Sequence, residues 1–378
     1  MKFEELIHSD NIIKALESQG IKEPTQIQQD AYIHIKNNEN VIARSETGSG
    51  KTLAYLIPIF ENIDVEEKGV NTIILVPTYE LSMQVYNQIE LLSANSKINV
   101  RALSLIGNVN ITRQIEQLKN KKPHIIVGTS GRILELIKKK KISAHTVKTL
   151  IIDEADKMLD KNNYQPMMDV RKCLYKNIQI LLFSASMNKK AFTIAGEIAP
   201  KACIIKYNDS ETIPSLITHQ YIICAKNQKT ETLRKVCAAI KPTRCMIFID
   251  KQFEAQEVYD KLSYHHYKID NLIGKSDKFE RKNALERFKS GKSNYLLSTD
   301  IASRGLHIDG VDTVINIGLP TDSKDYLHRC GRCGRNNQKG LCISIITENE
   351  LNKVKNLQKA FNINMVCRKL FNGKLVKG

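Results

Sequence analysis

The chain has 378 residues, 42% hydrophobic and 26% charged, which is typical of a globular protein with about two domains. Lys and Arg number 57 against 40 Asp and Glu, so the formal net charge of +17 favours a polyanionic partner: nucleic acid, an anionic membrane or an acidic protein. No apolar stretch reaches the about 18 residues of a transmembrane helix, and the acidic, amphipathic start does not resemble a secretory signal. Nine cysteines without a framework spacing indicate reduced thiols, so we expect a cytoplasmic protein.

Short β-rich apolar runs alternate with longer amphipathic segments along the chain. The predicted strands include 40–43, 72–76, 100–105, 124–128, 149–152 and 179–183 in the first half, and 221–224, 245–249, 295–298, 313–316 and 341–346 in the second. Helices are predicted between them, for example over 51–60, 81–92 and 253–262. This alternation predicts an α/β fold of mainly parallel sheets covered by helices, with functional loops at the carboxyl ends of the strands.

A polar stretch that contains a proline, 207–215, lies between two complete runs of predicted strands. We therefore predict one domain over 1–206, a short flexible linker over 207–215 and a second domain over 216–378. The basic surplus is uneven, because residues 1–210 carry a net charge of +5 and residues 211–378 one of +12.

The strongest local motif is ARSETGSGKT, which follows a predicted strand and opens a predicted helix. This context is typical of a phosphate-binding loop, in which glycines let backbone N–H groups turn toward phosphate oxygens. Lys51 would pair with the β- and γ-phosphates, and the Thr52 hydroxyl would ligate Mg²⁺. Ser45 replaces the usual first glycine of such loops, and a small residue still fits there. The residues expected to contact the nucleotide are Gly48, Ser49, Gly50, Lys51 and Thr52.

An apolar predicted strand ends in the acidic stretch that begins at Asp153. An acid at that end of a strand suits Mg²⁺ held near phosphates, so Asp153 is the predicted metal residue. Glu154 would orient or deprotonate the attacking water. The alternative is an acidic helix N-terminus favoured by the helix dipole, and the upstream phosphate loop favours the metal site.

A glutamine also stands in a candidate nucleotide-binding position. The amide of Gln28 can donate and accept, so it can hydrogen-bond both N6 and N7 of adenine. On chemistry alone, an exposed polar helix face after a Pro-Thr cap is the favoured alternative.

Together these motifs resemble the DEAD-box family of ATP-dependent RNA helicases, in helicase superfamily two, whose naming tetrapeptide is Asp153-Glu154-Ala155-Asp156. The resemblance runs from Phe3 to about residue 350 in the family's motif order. It implies two tandem RecA-like domains, ATP and Mg²⁺ as cofactors, and RNA-stimulated hydrolysis coupled to local unwinding of short duplexes through domain closure. It implies RNA as the partner, bound through the sugar–phosphate backbone with little sequence specificity, and makes a membrane role unnecessary. We expect a monomer.

The resemblance also implies roles for single residues. It places Phe3, Ile21 and Gln28 at the adenine, and His307 at the ribose. Ser184 and Ser186 match the motif that couples hydrolysis to strand separation. The residues matching RNA contacts are Pro77, Thr78, Gly107, Thr129, Gly131, Arg132, Arg281 and Thr299.

The stretch from His328 to Arg335 reads HRCGRCGR and resembles the family's arginine-rich motif. The resemblance makes Arg332 and Arg335 the arginine finger, a role worth ~10³–10⁵ in rate in related systems. His328 opens the motif and is a further candidate catalytic residue. A solvated basic helix face is the alternative, and it does not explain the glycines. The C-x-x-C spacing within the motif can signal zinc, but no second Cys/His pair follows at finger spacing.

This sequence departs from the family pattern at Tyr79 for Arg, Asn108 for Gly, Ser186 for Thr, Lys278 for Gln and His307 for Asp. We expect weaker ATP binding from His307, and His307→Asp should then raise the affinity. Three of the departures, Tyr79, Ser186 and His307, also support an alternative function, an ATP-dependent RNA clamp or remodelling scaffold with weak unwinding. A DNA-directed motor is a third possibility, which the DEAD motif and the adenine-reading glutamine disfavour.

Overall fold

The computed structural model describes residues 2–45, 48–107, 109–207, 213, 216–250, 252–273, 278–300, 308, 310–334 and 338–378. They group into two compact units, Met1–Asp209 and Ser210–Gly378. Asn108, His307, Arg335 and all of 207–215 except positions 207 and 213 lie outside the described residues, as does the side chain of Lys278.

The first unit is built on a parallel sheet. Its strands are β1 (Val41–Arg44), β2 (Thr72–Leu75), β3 (Ala102–Leu105), β4 (Ile125–Gly128), β5 (Thr149–Asp153), β6 (Gln179–Ser184) and β7 (Cys203–Lys206). They lie in the order β3-β4-β2-β5-β6-β1-β7, and every pairing is parallel. The four strands β2, β4, β5 and β6 are buried along their whole length, as expected for strands with helices on both faces.

Helices cover both faces of this sheet. They are α1 (Phe3–Leu6), α2 (Asp10–Glu17), α3 (Gln26–Lys36), α4 (Lys51–Asn62), α5 (Tyr79–Ser96), α6 (Ile111–Lys121), α7 (Ser130–Lys138), α8 (Ala155–Met158), α9 (Lys161–Cys173) and α10 (Lys189–Ile198), with a 3₁₀ turn at Ala144–Thr146. Successive side chains of a strand point to opposite faces. Accordingly, Ile74 packs in one apolar cluster, whereas Ile73 and Leu75 pack in the other.

The second unit repeats this plan. Its strands are β8 (Ile217–Ile223), β9 (Cys245–Ile249), β10 (Ile269–Asn271), β11 (Tyr295–Ser298), β12 (Thr313–Ile317), β13 (Gly340–Ile346), β14 (Met365–Phe371) and β15 (Lys374–Lys377). The order is β10-β11-β9-β12-β13-β8-β14-β15, and only the β14–β15 pair is antiparallel among the described pairings. Its described helices are α11 (Lys229–Ile240), α12 (Gln252–Tyr264), α13 (Lys278–Lys289), α14 (Ser323–Cys330) and α15 (Leu351–Phe361), with 3₁₀ turns at Lys226–Gln228 and Glu348–Glu350.

The predicted α/β architecture of two tandem, mainly parallel sheets covered by helices is confirmed. Within the part of the chain that the structure describes, no helix has both the length and the apolarity that crossing a bilayer requires.

Candidate active site

The segment between β1 and α4 turns at two glycines. Gly48 and Gly50 have φ values of +85° and +90°, in the left-handed region that side chains other than glycine rarely adopt. Gly50 caps α4, so Ser49 immediately precedes this cap and Lys51 and Thr52 are the first residues of the helix. Lys51 Nζ donates to the carbonyl oxygen of Ser45 at 2.6 Å, so the ammonium folds back over the loop. The loop thus presents a helix N-terminus and a cation together, which suits an anionic ligand.

Gln28 joins the candidate adenine-reading motif to this loop. The side chain is 2% exposed, its Oε1 accepts from the backbone N–H of Thr25 at 2.9 Å, and its Nε2 donates to the carbonyl oxygen of Gly50 at 3.2 Å. A Cβ at position 50 would lie 2.4 Å from Nε2. Gly50 is therefore needed both for its backbone conformation and for the close approach of the glutamine.

Phe3 and Ile21 lie in the apolar surroundings of the same unit. Phe3 is 1% exposed and belongs to the cluster on one face of the sheet, and Ile21 is half-buried against that cluster. Both side chains pack with apolar neighbours.

Asp153 ends β5 and is 4% exposed. The Tyr55 hydroxyl donates to its Oδ2 at 2.9 Å, and the backbone N–H of Glu154 donates to its Oδ1 at 2.9 Å. Burial and the nearby charge of Glu154 raise the pKa of Asp153 to about 6, against the opposing effects of Tyr55 and Lys51. Tyr55 lies one turn after Thr52 on α4, and it is a site residue that the motifs did not predict.

Glu154 adopts a strained backbone. Its φ of 50° and ψ of 50° lie in the left-handed region, which costs a side-chain-bearing residue on the order of 1 kcal/mol and is often found at functional sites. Its Oε2 lies 2.7 Å from Lys157 Nζ, and both side chains are mostly buried. Lys157 is therefore a second site residue that the motifs did not predict.

The acidic motif is also joined to the two candidate coupling serines. Ser184 Oγ donates to Asp156 Oδ1 at 2.6 Å, and Ser186 Oγ donates to Asp156 Oδ2 at 2.8 Å. Both serines are fully buried at the end of β6. The serine that replaces the family's threonine at position 186 therefore keeps a hydroxyl bond to the acidic motif.

The candidate RNA contacts of the first unit lie along one end of its sheet. They follow the carboxyl ends of β2, β3 and β4, which are neighbouring strands. The Thr78 hydroxyl caps α5 by accepting from the backbone N–H of Leu81 at 3.3 Å, and Thr129 precedes α7. The structure places Pro77 beside Thr78, Gly107 after β3 and Gly131 in the first turn of α7, the last two exposed to solvent.

Arg132 is placed differently from these residues. Its Nη1 donates to the carbonyl oxygen of Val109 at 3.0 Å and to Gln114 Oε1 at 2.6 Å, and its Nε lies 3.2 Å from Glu135 Oε2. The side chain is only 10% exposed. In this structure the guanidinium therefore fixes the loop after β3.

In the second unit, the arginine-rich motif occupies the end of α14 and the turn that follows it. His328 is half-buried in α14, and Arg332 is 8% exposed just after this helix. Arg281 lies half-buried in α13, and Thr299 directly follows β11, where its carbonyl oxygen accepts from Ser298 Oγ at 3.0 Å.

Arg329 is the buried centre of this region, and sequence reasoning assigned it no role. Its Nε and Nη2 each lie 2.6 Å from a carboxylate oxygen of Asp300, and Nη2 also bonds Asp250. The guanidinium lies 5.4 Å from the centre of the Phe248 ring. One arginine thus joins α14 to the residues that follow β9 and β11.

The C-x-x-C pair within the motif lies in an apolar cluster of the second unit. Cys330 and Cys333 are buried free thiols, and burial raises the pKa of Cys330 well above its usual value. Among the described residues, no group of three or more His, Cys, Asp or Glu side chains is placed to hold a metal ion.

The first unit therefore combines a glycine turn feeding a helix after one strand with a buried acid at the end of a strand two places away. This arrangement defines the class of nucleotide-hydrolysing P-loop proteins. A family model described as DEAD/DEAH box helicase matches residues 25–194, and one described as helicase conserved C-terminal domain matches residues 228–337.

Curated relatives agree with these matches. The DEAD-box ATP-dependent RNA helicase CshC of Bacillus cereus is 36% identical over 364 residues, which is 96% of this chain and 92% of that protein. The protein named "Probable ATP-dependent RNA helicase YfmL" of Bacillus subtilis is 36% identical over 356 residues, 94% of this chain and 93% of that protein.

Solved structures agree as well. Dbp5 of S. cerevisiae bound to RNA and ADP BeF3 has a TM-score of 0.87 and 28% identity, covering 97% of this chain and 95% of that one. Mss116p bound to ssRNA and AMP-PNP has a TM-score of 0.85 and 26% identity, covering 97% and 79%. The chain belongs to the DEAD-box family and is an ATP-dependent RNA helicase built of two RecA-like units.

Proposed function

We propose that RNA stimulates ATP hydrolysis by this chain and that the cycle opens short RNA duplexes locally and non-processively, through closure of the two units. The proposal rests on the series of contacts in the first unit that runs from the phosphate loop to the coupling serines. Tyr55 joins α4 to Asp153, and Asp156 of the same acidic motif bonds both Ser184 and Ser186. Because these contacts are direct, a change at the phosphate loop can reach the coupling motif without a mobile intermediate.

We infer that Gln28 reads adenine. An amide has two N–H donors and two acceptor lone pairs, and its bonds to Thr25 and Gly50 occupy one of each. The second N–H can donate to N7 of adenine, and the second lone pair can accept from the N6 amino group. Phe3 and Ile21 would contribute apolar packing behind the base, and His307 would hydrogen-bond the ribose.

The first unit fits Mg²⁺. The Thr52 hydroxyl and the Asp153 carboxylate are oxygen ligands of the kind that Mg²⁺ prefers, and a carboxyl with a pKa of about 6 is readily ionised by a nearby cation. When bound, the ion would neutralise charge on the phosphates. Lys51 would hold the β- and γ-phosphates together with backbone N–H groups of Gly48, Ser49 and Gly50.

Glu154 would position or deprotonate the attacking water. Lys157 Nζ lies 2.7 Å from its Oε2 and so helps to fix the orientation of the carboxylate. Arg332 and Arg335 of the second unit would stabilise charge on the γ-phosphate, with His328 beside them, so hydrolysis would require closure of the units.

The RNA strand would lie along the carboxyl ends of the strands. In the first unit, Thr129 and Gly131 present the N-terminus of α7, where backbone N–H groups favour a phosphate. The Ser130 hydroxyl there is buried and has no hydrogen-bond partner within the described residues. The further proposed contacts are Pro77, Thr78, Gly107, Arg132, Arg281 and Thr299.

The test is ATP turnover with and without RNA. We expect single-stranded RNA to stimulate hydrolysis and DNA of the same sequence to do so far less. Glu154→Gln should abolish turnover yet keep ATP-dependent RNA binding, because it removes the base and keeps the shape. An ATP turnover rate that RNA does not change would contradict the proposal, and equal stimulation by DNA would favour the DNA-directed motor.

The alternative is an ATP-dependent clamp or remodelling scaffold that unwinds poorly. The exposed Tyr79, which replaces an arginine, supports it, whereas the retained bond from Ser186 to Asp156 supports unwinding. A strand-displacement assay beside the ATPase assay separates the two, because hydrolysis without displacement would favour the clamp.

We also propose a monomer in the cytoplasm. All nine cysteines are free, which suits a reducing compartment. Sedimentation of the purified chain would test the oligomeric state.

A further inference from the structure

The last two strands form a hairpin at the edge of the second sheet. Its turn is Asn372-Gly373, with φ values of 45° and 73°, the sequence and conformation of a tight two-residue hairpin turn. In the antiparallel register, Lys369 faces Val376 and Phe371 faces Lys374. These four side chains share one face, because residues opposite each other, and residues two apart, point the same way. We call this the outer face.

The two faces of the hairpin have different environments. On the inner face, Leu370 and Leu375 pack against the apolar cluster that contains α11 residues such as Leu233 and Val236. On the outer face, Phe371 is 65% exposed, Val376 is 38% exposed, and Lys369 and Lys374 are also exposed. The hairpin is thus held by its inner face and presents an aromatic ring and a valine between two lysines to solvent.

The chain segment that carries this face has charges of one sign. Residues 351–378, which comprise α15 and the hairpin, contain seven Lys and Arg and no Asp or Glu. Stretches of this kind attract polyanions. The occupant that fits both the cations and the ring is a single strand of nucleic acid, because bases stack on aromatic side chains while lysines contact phosphates.

A protein partner that adds a strand to the sheet fits less well. The outermost strand, β15, carries Lys374 and Lys377, and lysines on an edge strand oppose pairing with another chain. A membrane surface fits less well too, because Phe371 and Val376 make a small apolar area compared with that of an interfacial helix.

The hairpin lies at the end of the sheet where the second unit's RNA candidate Thr299 is found. Strand β14 runs parallel to β8 and pairs Cys367 with Tyr221, so Phe371 lies about two residues, ~7 Å, beyond the last residue of β8, Ile223. Thr299 follows β11 at the same end. Five strand spacings separate β11 from β14, about 24 Å across the sheet.

We propose that the outer face of the hairpin is an additional contact for single-stranded RNA, in which Phe371 stacks on a base and Lys369 and Lys374 hold the flanking phosphates. The proposal rests on the RNA binding proposed above. The hairpin lies across the sheet from Thr299, so only an RNA strand long enough to continue past Thr299 reaches this additional contact.

The first test compares the binding of a short labelled RNA of about six nucleotides with that of a long one of about 20, each with a non-hydrolysable ATP analogue. Phe371→Ala should weaken the long RNA about fivefold or more and leave the short RNA unchanged. Tyr264→Ala is the matched control, because Tyr264 is a 79% exposed aromatic side chain on α12 of the same unit. The melting temperature should not change in either variant, since both rings are exposed.

The second test measures salt dependence. For single strands the slope of log K against log salt changes by about 0.7 per phosphate contact, so a Lys369→Ala/Lys374→Ala variant should lose about 1.4 from the slope for the long RNA. A Lys268→Ala/Lys292→Ala variant is the control with the same change of charge. These exposed lysines precede β10 and β11, at the amino ends of the strands.

If Phe371→Ala binds both RNAs as tightly as the unchanged chain does, the hairpin proposal is overturned. It is also overturned if Tyr264→Ala loses as much affinity for the long RNA as Phe371→Ala does. Unchanged RNA binding together with lost binding to vesicles rich in phosphatidylserine would overturn it in favour of a membrane surface. If the unchanged chain binds neither RNA, the proposed function itself has failed, and this outcome is visible without any variant.

Discussion

The buried carboxyl of Asp153 gives the sharpest prediction, because it is held at a cost to folding. Burial and Glu154 raise its pKa from 3.8 to about 6, so the folded chain binds this proton more tightly than the unfolded chain. Stability therefore falls as the pH rises from about 4 to about 6, and the full penalty stands above that range. At ~1.4 kcal/mol per pH unit, the shift corresponds to about 3 kcal/mol at most.

Asp153→Asn removes the charge at every pH and keeps the shape. The amide oxygen can still accept from the Tyr55 hydroxyl, while the amide nitrogen cannot accept from the backbone N–H of Glu154, which costs about 1 kcal/mol. We therefore expect the variant to be about 1–2 kcal/mol more stable than the unchanged chain near pH 8 without Mg²⁺ or nucleotide. The gain should disappear below about pH 4.5, and hydrolysis should be lost.

Urea unfolding followed by circular dichroism, from below about pH 4.5 to about pH 8, gives the difference in unfolding free energy between the variant and the unchanged chain. Hydrogen exchange of the β5 amides assigns this difference to the first unit. Asp169→Asn is the control for the same change of charge, because that side chain is 35% exposed on α9. Mg²⁺ with ADP should stabilise the unchanged chain more than Asp153→Asn. A variant that is less stable at every pH, or a gain that does not change with pH, would refute the reasoning from burial.

Three further substitutions test other contacts. Gly50→Ala should destabilise the chain by about 1–3 kcal/mol and weaken ADP binding in a fluorescence titration, because the new Cβ meets Gln28. Gly20→Ala is the control for backbone strain alone, because Gly20 has a φ of +75° and an added Cβ there would meet no atom within 4 Å. Ser186→Ala should reduce strand displacement about tenfold more than ATP turnover, because Asp156 loses a donor, and Ser186→Thr should keep both activities. Arg329→Leu should lower the unfolding free energy of the second unit by about 1.5–3 kcal/mol in urea, because Asp300 and Asp250 lose their shared cation. A loss below about 1 kcal/mol would mean that water replaces the guanidinium.

The central strands and the edge strand β3 could be predicted from the sequence, whereas the other strands at or next to the sheet edges could not. Buried parallel strands such as β5 and β9 are continuous apolar runs, which is the signal that sequence reasoning detects. The four strands that were not predicted lack this signal. Strand β10 has only three residues, and β7, β14 and β15 are partly exposed, so polar residues interrupt their apolar pattern.

The same distinction holds for the site. Local motifs identified the phosphate loop and the acidic strand end, because their chemistry lies within a few consecutive residues. Tyr55 and Asp153 are 98 residues apart, and Arg329 and Asp250 are 79 apart, so only the fold brings each pair together. A tyrosine three residues after Thr52 was the one available signal for the first pair, and an apolar helix face explains a tyrosine there equally well.

The distribution of charge connects the motor with the hairpin. Residues 211–350 carry 22 basic and 17 acidic side chains, a net charge of +5, which equals the +5 of residues 1–210. The second half is more basic than the first by seven charges, and this difference equals the seven cations of residues 351–378. The arginine-rich motif does not account for it, since that motif is residues 328–335 and lies outside this stretch. Seven of the 17 net positive charges that first suggested a polyanionic partner thus belong to α15 and the hairpin, outside both family-matched regions, and it is there that RNA binding should depend most strongly on salt.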